Sequence, residues 1–219
     1  MKELITDPES FFERIAQFGR VGRSMAVLGV IGAAYSLQAL VLVPLLGDRL
    51  NAYAGGVSGE LFLTFFQPFV VWVVFVVAIW PVAKILGGRP SVGRLINTSA
   101  WALSPLVATG VFWTIGRYLA LADAQVPPPV EYQGFPRESA ALVALYLRPA
   151  SSEVVFLAFR GLGLLFVLAS FYLMVYAVQA ISELDRTKAA IAVAPPALFY
   201  LAVALQLIVF YSPDAPAAI

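Results

Sequence analysis

Five long apolar runs spread over the whole chain restrict its fold more than any other feature. A helix needs about 20 residues to cross the hydrocarbon core of a bilayer. The runs of the 219-residue chain that reach this length are 24–46, 61–86, 99–122, 154–181 and 189–211. They are apolar around the whole helix and show no period of two, which favours helices over barrel strands. The sequence predicts an all-α fold, a polytopic membrane bundle of five transmembrane helices.

Composition excludes several classes of function. Hydrophobic residues make up 61% of the chain and charged residues 12%, against about 45–50% and about 25% in soluble domains, so a water-soluble fold could not bury this much apolar surface. A net charge of +1 argues against a nucleic-acid partner. The chain has no Cys and no His, and no span pairs two carboxylates or a serine with a base. We therefore expect no enzyme activity, catalytic residue, metal or cofactor, and the lipid bilayer as the main surrounding.

The distribution of Lys and Arg predicts the orientation, because positively charged loops stay in the cytoplasm. With a cytoplasmic N-terminus, nine basic residues lie inside: Lys2, Arg14, Arg20, Arg23, Lys84, Arg89, Arg94, Arg186 and Lys188. Three lie outside: Arg49, Arg137 and Arg148. The predicted organisation is a cytoplasmic amphipathic segment over 1–23, a five-helix membrane domain over 24–211 and a short external tail over 212–219.

A short helix is predicted ahead of the first span. Asp7 followed by Pro8 is typical of an N-cap and a first-turn proline. Phe11, Ile15 and Phe18 then recur at helical spacing and form one apolar stripe. This pattern favours an amphipathic helix lying on the cytoplasmic membrane interface. The alternative is that the stripe packs on the inner face of the bundle.

Every predicted span carries one long hydrogen-bonding or charged side chain at a similar depth in its outer half. These are Gln38, Gln67, Arg117, Arg160 and Gln206. Charges are costly in hydrocarbon, so both arginines are expected to face protein, water or the interface. Arg160 can extend outward along its helix, whereas Arg117 needs a protein acceptor such as Glu60 or Glu153. The set is interpreted as a polar layer joining the helices, with an outward-facing cavity as the alternative.

Pro105 and Pro196 lie at corresponding places, each about 15 Å beyond a cytoplasmic turn at 1.5 Å per residue. A proline at mid-membrane depth usually bends its helix. Bends at matching positions of two halves indicate a binding site in transporters. Prolines also occur in membrane helices for packing alone, so both interpretations stay open.

Small residues recur four apart on two of the spans. They are Ala100, Ser104 and Ala108 on the third span and Gly29 and Ala33 on the first. This spacing lets two helix backbones approach closely. Packing within the chain is the expected use, and a homodimer seam is the alternative.

The end of the second span resembles a known family. The chain reads Ala-Lys-Ile-Leu-Gly-Gly-Arg-Pro-Ser over 83–91 and continues through Arg94 to Ser104-Pro105. This is similar to the Yip family, the Rab-interacting membrane proteins with five spans, whose members show a Gly-Gly-basic turn before a small-residue helix with a proline. The opening Asp7-Pro8, with Phe11 and Phe12, resembles prokaryotic members, as does the stretch 182–188.

The resemblance implies a five-helix membrane domain with a cytoplasmic N-terminus, in the cell membrane of a prokaryote or in the Golgi or endoplasmic reticulum of a eukaryote. The short N-terminal segment lacks the acidic-Leu-aromatic-Gly-Pro motif of eukaryotic members. The GTPase docking of those members is therefore not expected of this chain. The expected function is a non-enzymatic scaffold or adaptor that binds a membrane-protein partner. Its predicted cytoplasmic contact surface is formed by Phe11, Arg89, Arg94, Arg186 and Lys188. The alternative is a small-solute transporter or channel-like protein that uses the bends at Pro105 and Pro196.

Overall fold

The protein is all-α in the part that the structure describes. The computed structural model describes residues 2–47, 50–121 and 154–210, and the side chains of 2, 50, 52, 53, 56, 203 and 205–210 lie outside that description. In chain order the helices are α1 Lys2–Thr6, α2 Pro8–Phe18, α3 Val21–Leu40, α4 Leu42–Leu46, α5 Leu50–Ile85, α6 Val92–Ala102, α7 Leu106–Leu121, α8 Val154–Ser182 and α9 Arg186–Phe210. The predicted fold class is confirmed at this level.

Within the described residues, four stretches are long and apolar enough to cross a membrane. They are Val21–Leu46, Val57–Ile85, Val92–Leu121 and Val154–Ser182. The fifth predicted span coincides with helix α9 but is not one of these four, so the count of five spans stays a prediction.

Two helices begin seven or more residues before the predicted apolar runs, whereas the first and last spans begin three residues early. The second was expected to start at residue 61 and begins at Leu50, and the third was expected at 99 and begins at Val92. The predicted limits followed hydropathy, but a helix continues beyond the hydrocarbon wherever its main-chain hydrogen bonds continue. Because α5 starts early, Glu60 is part of the helix and lies directly before the predicted apolar run.

The long helices form a closed ring. Helix α3 contacts α5 and α7, α7 contacts α8, α8 contacts α9, and α9 contacts α5. Each contributes one aromatic side chain to a continuous row in the core. The ring of Trp113 lies 5.9 Å from that of Tyr35, the Tyr35 hydroxyl lies 3.3 Å from that of Tyr200, and Phe171 lies 6.1 Å from Tyr200 and 5.8 Å from Phe75 between ring centroids. These contacts fill the middle of the bundle with side chains.

Close helix contacts use glycines that the spacing argument did not select. A Cβ at Gly110 would lie 2.8 Å from the main chain of Ala34, and a Cβ at Gly32 would overlap the carbonyl oxygen of Phe65. Gly29 has open space around it and Ala33 is exposed, so the stripe predicted on the first span faces away from these contacts. On the third span Ala100 and Ser104 are buried, as expected for packing within the chain.

A short helix, α2, lies in the segment for which an amphipathic interfacial helix was predicted. Asp7 caps it, accepting a hydrogen bond from the main-chain N–H of Ser10 at 3.3 Å, and Pro8 is its first residue, as predicted. The ring of Phe11 packs edge-on against Trp101 at 5.7 Å and is buried, while Ile15 packs on the same core. Phe18 is exposed. The first two residues of the stripe therefore contact the bundle, which was the alternative to an interfacial placement.

Candidate functional site

Arg117 and Glu60 form a buried ion pair that joins α7 to α5. The guanidinium of Arg117 donates from Nη1 to the carboxylate of Glu60 and, at 2.8 Å, to the main-chain carbonyl of Gln38. Its side chain is 4% exposed, so the positive charge is almost wholly removed from solvent and lipid. Glu60 was one of the two acceptors predicted for Arg117, and the other, Glu153, lies outside the described residues.

The rest of the predicted polar layer does not gather around this pair. Gln38 is buried but meets Arg117 through its carbonyl oxygen, which every residue type has. Gln67 lines a 420 Å³ groove between α5 and α9 together with Pro196. The side chain of Gln206 is outside the described part. Of the five predicted residues, Arg117 and Gln38 are therefore in contact, whereas Gln67 lies in a separate groove.

Arg160 is held by aromatic rings. Its guanidinium lies 4.2 Å from the centroid of the Trp113 ring and 5.0 Å from that of Phe156. Phe156 lies one helical turn closer to the start of α8, so the side chain extends in the direction predicted for it. A cation over an aromatic face is stabilised by the negative charge of the ring face. Arg160 and Arg117 are therefore accommodated by different contacts.

The two predicted bends behave differently. The helix of the third span is interrupted at Leu103–Pro105 and resumes at Leu106, so there is a break in the helix where Pro105 was expected to bend it. Helix α9 instead continues through both Pro195 and Pro196. A proline removes one main-chain donor and crowds the preceding turn, but neighbouring helices can absorb that disturbance.

An apolar cavity of about 640 Å³ lies at the break. Its walls come from α1, from the broken third span and from α8, and they include Leu4, Pro105, Ala108, Phe112 and Ala169. Leu4 is 3% exposed and lies beside the break. Among the described residues of the wall, Ser104 and Tyr172 are the ones with polar side chains. The break therefore opens onto a groove suited to hydrocarbon and poorly suited to a polar solute.

The two turns that end α5 and α8 are joined through their main chains. The N–H of Arg89 donates to the carbonyl of Ser182 at 3.0 Å. Gly87 has a φ of +90°, which favours glycine, and a Cβ at Gly88 would lie 2.8 Å from the Ser182 carbonyl oxygen. The Gly-Gly-basic sequence thus lets one turn dock on the other. Helices α1 and α2 lie at this end too, which we call the N-terminal end of the bundle.

This glycine turn belongs to a sequence that matches a known family over nearly its full length. The family model of the Yip1 domain matches residues 2–207. The chain belongs to the Yip1 family. No curated protein and no solved structure matches it. The resemblance found in the sequence is confirmed, and the chain is a Yip1-family membrane protein with several helices able to span a bilayer.

Most of the predicted contact surface of this Yip1 chain is exposed. Arg89, Arg94, Arg186 and Lys188 all lie at the surface. Lys188 lies 3.9 Å from Asp185, and Arg186 lies 3.8 Å from Glu9. Phe11 is the exception, since it is buried against Trp101 and Phe12 and presents no surface to a partner. Its apolar ring gains more from the core than from exposure to water.

Sequence analysis missed a polar cavity at the N-terminal end of the Yip1 bundle. About 300 Å³ in volume, it is lined by Glu9 and Glu13 from α2, by Tyr176 and Gln179 from α8, and by Glu183. The spacing of Glu9 and Glu13, four residues apart on one face of a short helix, was the available signal. Among the described residues, no three acidic groups are arranged to hold a metal ion.

Proposed function

We propose that this Yip1-family protein is a non-enzymatic scaffold or adaptor in the membrane. Its N-terminus faces the cytoplasm and its C-terminus the outside, so that the N-terminal end of the bundle is the cytoplasmic one. The basic residues of the two joined turns are its contact surface toward a protein partner. The excess of Lys and Arg at this end supports the orientation.

The observation that carries the proposal is the aromatic row through the ring of helices. Trp113, Tyr35, Tyr200, Phe171 and Phe75 come from five different helices and touch in sequence. A pathway for a polar solute would need a wet space where these rings lie. A filled centre is expected of a protein that works through its outer surfaces.

The docked turns support the same function. Their main-chain contact between Arg89 and Ser182 gives the exposed charges of Arg89, Arg94 and Lys188 a common rigid base. A contact surface with a fixed shape loses less entropy on binding than flexible loops do. Binding by this surface would not require the bundle to open.

Transport is the second candidate, and the break at Pro105 is the observation that favours it. Broken helices line the binding sites of many transporters. The groove at this break is apolar, however, and its edge includes the exposed residue Ile5. It suits a lipid chain better than a hydrophilic solute.

Crosslinking separates the two candidates. A photoreactive amino acid at position 188 in the full chain, irradiated in native membranes, is expected to give one discrete protein adduct. The replacement of Arg89 and Arg94 by Gln should abolish the adduct. The replacement of Arg20 and Arg23 by Gln removes the same charge from the same end and should leave the adduct intact.

Reconstituted vesicles supply the other measurement. A scaffold leaves the uptake of ions and small solutes at the level of empty vesicles. Uptake above that level, lowered by a Pro105→Ala change in a protein that still folds, would overturn the scaffold in favour of transport. The absence of any discrete adduct at position 188 would also contradict it.

A further inference from the structure

The apolar groove and the polar cavity lie one after the other along the same two walls. Helix α8 forms one wall of both, with Tyr172 in the groove and Tyr176 in the polar cavity. The N-terminal helices form the other, with Leu4 in the groove and Glu9 in the polar cavity. The hydroxyls of Tyr172 and Tyr176 lie 2.8 Å apart. The two spaces therefore form one strip with an apolar part and a charged part.

The apolar part matches a hydrocarbon chain. It has a volume of about 640 Å³, and its walls are almost entirely aliphatic and aromatic. Tyr172 and Ile5 at its edge are 59% and 82% exposed, so the groove is open along this edge. Water has few partners in such a place, whereas an acyl chain fills it without losing hydrogen bonds.

The charged part has the pattern expected for a zwitterionic headgroup. Glu13 and Glu183 are both acceptors on the cavity wall. Arg186 lies next to the cavity, with its guanidinium 4.7 Å from the Tyr176 ring and 3.8 Å from Glu9. Glu9, the third carboxylate on the wall, is the partner of this guanidinium, so the cavity offers one cation suited to a phosphate and two further carboxylates suited to an ammonium group.

One residue of the cavity wall, Gln179, has a side-chain acceptor that receives no hydrogen bond from the described residues. The side-chain oxygen Oε1 of Gln179 is buried and has no hydrogen-bond partner within the described structure. A buried acceptor without a donor is costly. A primary ammonium can donate up to three hydrogen bonds, while a quaternary ammonium donates none and is usually held by several aromatic rings. Tyr176 is the aromatic residue on this wall.

We propose that this strip binds one molecule of phosphatidylethanolamine. An acyl chain occupies the groove beside Pro105. The phosphate lies toward Arg186, and the ammonium group donates to Glu13, Glu183 and the Oε1 of Gln179. The site goes beyond the scaffold function and does not depend on a protein partner.

The test uses the full chain in nanodiscs of equal parts dioleoyl phosphatidylethanolamine, phosphatidylcholine and phosphatidylglycerol. After mild detergent extraction, native mass spectrometry counts the lipids that stay bound. Phosphatidylethanolamine is expected to exceed phosphatidylcholine about fivefold, which corresponds to about 1 kcal/mol, the net contribution of one hydrogen bond that a quaternary ammonium cannot make.

Two changes examine the two parts separately. Replacing Glu13 and Glu183 by Gln should bring the ratio of the two lipids toward one, while lipid is still retained, because a neutral amide accepts a weaker hydrogen bond from the ammonium N–H than a carboxylate does, and phosphatidylcholine has no such N–H. Ala169→Trp fills the groove and should lower the retention of all three lipids. Ala158→Trp, an exposed position on the same helix outside the groove, is the control and should change neither value.

Each outcome decides the proposal. Equal retention of the three lipids by the native chain, or preference for phosphatidylglycerol, would overturn the headgroup assignment. A ratio unchanged by the double Glu replacement would do the same. Unchanged retention in Ala169→Trp would place the lipid elsewhere. If that variant does not fold, Ala108→Trp blocks the groove from α7, and the Glu variants supply an independent readout.

Discussion

The indole ring of Trp113 lies directly against Gly163, leaving no room for a Cβ atom at residue 163. The indole N–H donates to the carbonyl of Arg160 at 3.2 Å, and the Thr109 hydroxyl donates to the carbonyl of Gly163 at 3.0 Å. The contact between helices α7 and α8 is therefore formed by the buried Trp113 ring, which packs directly on the main chain of Gly163.

A Gly163→Ala change should lower the free energy of unfolding by about 1–3 kcal/mol, because the added methyl group overpacks this contact. Gly161→Ala is the matched control, since the same helix has open space at that position. That change should raise the free energy by about 0.5 kcal/mol through helix propensity. Unfolding of both variants in detergent micelles gives the comparison, and equal effects would contradict the contact.

Breaking the Arg117–Glu60 pair should be costly, while replacing both partners should not. Arg117→Met leaves Glu60 facing a nearly dry site, and we expect a loss of about 3 kcal/mol. The atoms Nε and Nη2 of Arg117 have no hydrogen-bond partner among the described residues, so the pair is incompletely compensated. The double change to Met at 117 and 60 should recover most of the loss.

A double-mutant cycle in detergent measures this coupling. The control is Arg14→Gln, which breaks the exposed pair with Glu3 and should give no measurable change. Losses that simply add in the double variant would show that Arg117 and Glu60 do not stabilise each other.

The docking of the two turns should depend on Gly88. A Cβ at this position would lie 2.8 Å from the Ser182 carbonyl oxygen and 2.9 Å from the Leu184 side chain. Gly88→Ala is expected to weaken the bond between Arg89 N–H and Ser182, which hydrogen exchange of residue 89 reports. Gly93→Ala, with open space around the added atom, should leave exchange unchanged. Equal protection of residue 89 in both variants would refute this explanation of the Gly-Gly turn.

The start of α2 should loosen in acid. Hydrogen bonds from the Ser10 hydroxyl and main-chain N–H lower the pKa of Asp7 below its usual 3.8. A lowered pKa means that the stabilisation is present above pH 3.8 and is lost as the pH falls through the folded-state value. The protection factors of residues 9–18 against hydrogen exchange should therefore fall below pH 3.8. Asp7→Asn keeps an acceptor without the charge, and its exchange should not show this step.

Hydropathy, charge and short motifs were sufficient to predict the all-α membrane fold, the cap at Asp7, the family and the need of Arg117 for an acceptor. Each of these depends on residues that are near one another in sequence or on the choice between water and hydrocarbon. The helix break at Pro105 follows from the same local chemistry. Pro196 shows the limit of that reasoning, because the same residue type leaves α9 helical.

The contacts between distant segments could not be derived in this way. Gly32 and Gly110, and not Gly29 and Ala33, face a neighbouring helix, because the rotation of each helix depends on all its neighbours. Phe11 turned inward for the same reason. The polar cavity was missed because Glu13 and Glu183 are far apart in sequence.

The sequence by itself determined that this chain is embedded in a bilayer and is helical there. Hydrocarbon offers no hydrogen-bond donors or acceptors, so the main chain must pair its own N–H and C=O groups. The tertiary structure decided which faces meet. Only it placed one aromatic ring from each of five helices in a single row and set an apolar groove beside a charged cavity. Those arrangements arise from side-chain packing between segments, which no local pattern encodes.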